Sequence, residues 1–169
     1  MRFLPRVGIV QSTPLFCSHS VMPDRLPESL PESEPALSIF LAAFEDGTLP
    51  KQRWTHAAHI LTGACYVHVL GESAAIDRMR SRVSAYNLAV GGQNTPTSGY
   101  HETVTVLWIK LLAAFLREHP SLNRVAFSTM AVQHFASQRD LLRRFYDFDV
   151  VASIEARRTW TPPTLQPLP

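Results

Sequence analysis

Cysteine is nearly absent from this 169-residue chain, where Cys17 and Cys65 are the only two. Two thiols so far apart do not make a disulfide framework, and nothing in the composition calls for an oxidising compartment. Long hydrophobic runs are missing too: no stretch approaches the roughly 20 apolar residues that span a bilayer. The start, Met1 to Arg6, has a faint likeness to a signal n-region, but Pro5 and Arg6 interrupt it and no adequate apolar region follows. Charge of one sign is equally scarce. Sixteen Lys and Arg against 14 Asp and Glu leave a formal charge of +2, spread without the basic stripe of a nucleic-acid binder. No strand-period segment, repeat or heptad array stands out. These absences point to a soluble all-α protein, expected in the cytoplasm, with neither nucleic acid nor membrane among its partners.

The length fits one domain, and 46% hydrophobic residues are enough for a packed core. Pro5 to Pro35 is rich in proline and serine with little periodicity, so residues 1–35 read as a flexible leader that tolerates removal. A first helix is expected over Ala36–Glu45, with Leu37, Phe40, Leu41 and Phe44 in an i, i+3, i+4, i+7 stripe, Ser33 as its cap and Gly47 as its stop. A second runs from near Thr55 to Leu70 and ends at Gly71. A third, Ser73 to Val90, buries Ile76, Met79, Val83 and Tyr86, while Asp77, Arg78, Arg80 and Arg82 read as a solvated face. A fourth runs from about Gly99 to Glu118 and is stopped by Pro120; Thr97 or Ser98 is its expected cap. Arg124–Phe135 is a short helix or a loop with an apolar patch, and Asp140–Phe148 reads as a helix. Residues 151–169 form a tail packed on the bundle domain of residues 36–150; Ser153–Arg157 adds a helical turn, and the proline-rich end runs extended, with Trp160 anchoring it.

Four amphipathic helices on short turns imply an up-down-up-down four-helix bundle, with one or two extra short C-terminal helices. In that topology the second and fourth helices run parallel. His56 and His59 at the start of one and Tyr100, His101 and Glu102 at the start of the other then share one end of the core. His56 and His59 are i, i+3 neighbours, and a helix N-terminus favours the neutral imidazole that a ligand must be. His101 supplies a third nitrogen, and Glu102 an oxygen ligand or a proton carrier. Adjacent helical residues diverge by about 100°, so His101 and Glu102 do not both aim at one point. Three protein ligands with an open position suit catalytic zinc; two His and a carboxylate suit iron equally. One divalent metal ion is therefore expected, zinc first, with iron or nickel as alternatives. Tyr100 and Asn94 are placed to orient a substrate, and Trp54 beside the His pair to wall a pocket. Cys65 reads as a small buried hydrophobe.

These residues also carry a resemblance. Trp54-Thr-His-Ala-Ala-His59, Tyr86-Asn87, and Asn94-Thr95 ahead of Gly99-Tyr-His-Glu-Thr103 resemble a family of uncharacterised bacterial all-helical proteins from about Phe40 to Phe115. A late segment similar to Glu155-Ala-Arg-Arg158 and Trp160 draws in Arg157 as an anion-binding or structural residue. The resemblance supplies no activity. Two functions are thus expected to compete. One is a mononuclear metal-dependent enzyme acting on a small polar substrate (a hydrolase, lyase or isomerase), with Glu102 and Tyr100 catalytic. The other is a non-catalytic domain that binds a metal or metabolite. A homodimer is compatible with either.

Overall fold

A computed structural model describes residues 29–169. The expected leader lies outside the described residues as far as position 28, but its end does not stand apart: Pro31 is buried and Leu30 packs against the core. The described residues are all-helical. They form α1 (Glu34–Glu45), α2 (His56–Leu70), α3 (Glu72–Ala89), α4 (Glu102–Glu118), α5 (Arg124–Phe135) and α6 (Ile154–Arg158), with short 3-10 turns at Lys51–Arg53 and Arg139–Arg144.

Local chemistry sets most of the boundaries. Ser33 accepts a hydrogen bond from the Ala36 amide and caps α1, as its position predicts; Thr55, Asn123 and Ser153 do the same for α2, α5 and α6. Gly47 and Gly71 follow helices with positive φ. The fourth helix differs from expectation. It begins at Glu102, not near Gly99, and its cap is His101 rather than Thr97 or Ser98. The segment expected as a helix over Asp140–Phe148 contains only the 3-10 turn; Leu141, Leu142 and Phe145 are buried, but Phe148 faces solvent.

The core is built around α2, with α1, α3, α4 and α5 all contributing buried side chains. From Leu61 to Val67 every residue of α2 is buried, because helices cover it on several sides and leave it no solvent face. The segment Arg124–Phe135 is a full helix with the broadest contact on α2; its Ser128 meets Cys65, and its Phe127 and Phe135 pack on Phe115. Cys65 is buried as expected, and burial pushes its thiol up to about 11. The α2 and α4 axes run in the same direction, since His56 packs on Trp108 while His68, one end later, bonds the Leu122 carbonyl. The α3 helix runs the other way: Glu72 at its start pairs with Lys110, and Arg80 further on pairs with Glu102. The charge run on α3 is therefore not simply a solvated face; Arg78 and Arg80 tie it to α1 and α4.

Gly63 sets the spacing between α2 and α4. A Cβ there would sit 2.9 Å from Leu112 Cδ1 and 3.1 Å from Ile109 Cδ1. Gly63→Val is expected to overpack this contact and cost about 1–3 kcal/mol. Thermal unfolding of the variant against the parent checks this, and an unchanged midpoint would contradict it.

Candidate functional site

The loop from Gly91 to His101 is held by side-chain amides. Asn94 Oδ1 accepts from Asn87 Nδ2 at 2.9 Å and from the Tyr100 amide at 3.0 Å, while Asn94 Nδ2 donates to the Ser84 carbonyl at 2.9 Å. Gly99 (φ +79) lies so close to Gln93 that a Cβ would come within 2.3 Å of its carbonyl oxygen. Only glycine fits that conformation and that space. Asn94, expected to meet a substrate, is thus committed to the loop, and Asn87 is its unforeseen partner.

His101 is 7% exposed. Its Nδ1 accepts from the Val104 amide at 3.3 Å, so the ring proton sits on Nε2, which donates to the Val150 carbonyl at 3.0 Å. Burial lowers its pKa, opposed by the Val150 bond and aided by Arg157, and an Nδ1 that accepts belongs to a neutral ring. Both nitrogens are engaged, however, and neither is presented to an ion. Among the described residues, no group of three His, Cys, Asp or Glu side chains is placed to hold a metal. The expected convergence of His56, His59 and His101 is therefore not assembled here.

Glu102 faces α3. Arg80 donates from Nε at 3.0 Å and Nη2 at 2.6 Å, and the Tyr100 hydroxyl donates at 2.7 Å. The Arg80 bonds, with a smaller contribution from Tyr100, hold its carboxyl below the usual range, against desolvation. Burial and Glu102 push the Tyr100 hydroxyl well above its ordinary value. Arg157, drawn in as an anion binder, donates to the carbonyls of Gly99, Tyr100 and Val151. Buried Thr103 donates to the Thr159 carbonyl and accepts from the Thr161 amide. The Tyr100 to Thr103 stretch is thereby clasped to residues 150–161. The roles of Thr103 and Arg80 were not foreseen: Thr103 closes the Gly99–Thr103 motif with no role assigned, and Arg80 reads as part of a solvated face.

The α2 end of the cluster is arranged differently. Trp54 stacks on Phe44 at 4.1 Å, lies 4.0 Å from the His59 ring and also packs on Tyr86, so it is partly buried against the core. His59 Nδ1 donates to the Thr55 carbonyl at 2.8 Å, so Nε2 carries the lone pair. Burial lowers its pKa to about 4, and His56 one turn earlier adds to the effect. His56 packs edge-on against Trp108.

No protein-family model matches the chain, and the comparisons found neither a curated protein nor a solved structure that matches it. Its functional reading therefore rests on these side chains.

A depressed histidine pKa has a definite sign. Between about 4 and the ordinary value of 6.5, the unfolded chain binds a proton at His59 that the folded chain does not, so stability falls as pH drops through this window. His59→Phe is expected to flatten the dependence of the urea midpoint on pH between those limits. An equally steep dependence in the variant would contradict this.

Proposed function

We propose that this chain is a non-catalytic metal-binding helical domain, whose ion is held at the start of α2 by the His56–His59 pair with water or a small polar ligand completing its coordination. One observation carries this reading: the His59 Nδ1–H bond to the Thr55 carbonyl, which fixes the tautomer and aims the Nε2 lone pair away from the backbone. Metal-ligating imidazoles characteristically donate their other N–H to a carbonyl or carboxylate in this way. A pKa of about 4 keeps that lone pair available at neutral pH. Zinc suits such a donor set best, and iron or nickel are compatible with it. The same reading takes the helices as an up-down-up-down bundle, the end of the chain as an extended proline-rich tail, and the chain as a member of the bacterial helical family whose motifs it resembles.

A second reading, the mononuclear metal-dependent enzyme with Glu102 as proton carrier and Tyr100 as its helper, draws support from their direct hydrogen bond at one end of α4. It ranks lower. A carboxylate whose oxygens are both bonded to Arg80, and whose pKa is lowered, is a weak base at neutral pH. That reading needs the Arg80 pair to open.

Calorimetric titration of the full chain with zinc tests the proposal. His59→Ala is expected to weaken zinc binding by about tenfold or more, equivalent to about 1.4 kcal/mol. His101→Ala should leave affinity within about twofold while lowering the thermal midpoint. Equal affinity in His59→Ala and the parent would overturn the site. Loss of zinc in a folded His101→Ala would restore the three-imidazole arrangement.

A further inference from the structure

We infer that the cleft between α1, α2 and α3 is a binding site for a small apolar carboxylate. The cleft has a volume of about 630 Å³, within the range of small-molecule sites. Leu41, Cys65 and Tyr66 line it and are largely buried. Val69 and Leu70 stand on the same lining and are 58% and 45% exposed. Two adjacent large aliphatic side chains left in water beside a concavity are apolar area that a ligand would cover.

The polar groups of the cleft share one geometry. Arg78 donates from Nε and Nη2 to Glu45, which also accepts from the Tyr66 hydroxyl at 2.6 Å. Arg124 uses Nε and Nη2 on Glu34, and Nη2 also reaches Ser38. Neither Nη1 has a hydrogen-bond partner among the described residues, and neither is a buried atom left unsatisfied. Each guanidinium is thus fixed by one face of its fork and offers the N–H donors of Nη1 outward. Glu45 on the lining and Glu34 outside it offset the two charges, and Asp77, the other carboxylate on the lining, is 72% exposed and shares Arg80 with Glu102. Oriented donors in a field near neutrality, beside an apolar wall, select an acceptor carried on an apolar body rather than a bare inorganic anion. A carboxylate is the acceptor that guanidinium donors fit best. Arginines already locked by internal pairs lose little further freedom on binding, which favours a small ligand.

Octanoate is the probe. Titration of the full chain, followed by ¹H–¹⁵N NMR below the micelle concentration, is expected to give saturable shifts centred on Val69, Leu70 and the Arg78 side chain. Arg124→Gln should weaken octanoate by about tenfold, the scale of one charge-assisted hydrogen bond. Val69→Asp, at an exposed position that folding does not depend on, should do the same by removing apolar wall and adding like charge. 1-Octanol should bind more weakly than octanoate. Absence of saturable shifts at millimolar octanoate, shifts centred elsewhere, equal affinity for octanol, or no effect of Val69→Asp would each overturn the inference.

Discussion

A helix that begins inside a protein must satisfy the N–H groups of its first turn, and α4 does so with an imidazole. His101 accepts from Val104 on one side and donates to Val150 on the other. The two bonds depend on each other: only the tautomer that caps the helix also has a proton for the tail carbonyl. The energies are unequal. A lost cap costs about 1 kcal/mol, whereas a buried N–H left without its acceptor costs about 1–3 kcal/mol. The clasp to Val150 is therefore the stronger reason for a histidine at this position, since serine or aspartate would cap as well but could not reach across with a donor.

Much of this end of the molecule follows from that arrangement. With the α4 start fixed against residue 150, Arg157 can bridge the Gly99, Tyr100 and Val151 carbonyls, and Thr103 can stitch in Thr159 and Thr161. Glu102, one residue past the cap, is turned towards α3 and meets Arg80. The loop before the helix is closed by Asn94 and by a glycine that tolerates no side chain. A cluster rich in titratable groups is in this way committed to internal bonds, and the chemistry left open moves to His59, whose Nε2 is not drawn into that network.

Helices with a clean apolar stripe were legible from residue order alone. The α1 stripe of Leu37, Phe40, Leu41 and Phe44 is buried with Ser33 as its cap, because period and cap are local properties. What the sequence obscured depends on distant partners. Arg124–Phe135 carries a weak pattern because polar Ser128 is on its buried side while apolar Val125, Met130 and Val132 are only partly buried, yet it is the main neighbour of α2. His101 and Glu102 read as paired chemistry because adjacency in sequence suggests a shared purpose. In space His101, extended at the cap, turns to the tail, while Glu102, the first helical residue, turns to α3. The neutral state of the histidines was predictable from helix electrostatics and burial; which atoms would engage their nitrogens was not.

Two neutral histidines, one from each of two separate motifs, hold opposite tautomers: His101 with its proton on Nε2, used as a clasp, and His59 with its proton on Nδ1, leaving Nε2 to meet a ligand. Long-range ¹H–¹⁵N correlation NMR of the imidazole rings at neutral pH reads this directly, since protonated and bare ring nitrogens resonate far apart. The expected result is a protonated Nε2 and bare Nδ1 for His101, and the reverse for His59. A His101 ring protonated on Nδ1, or a His59 ring in the imidazolium form at neutral pH, would contradict it.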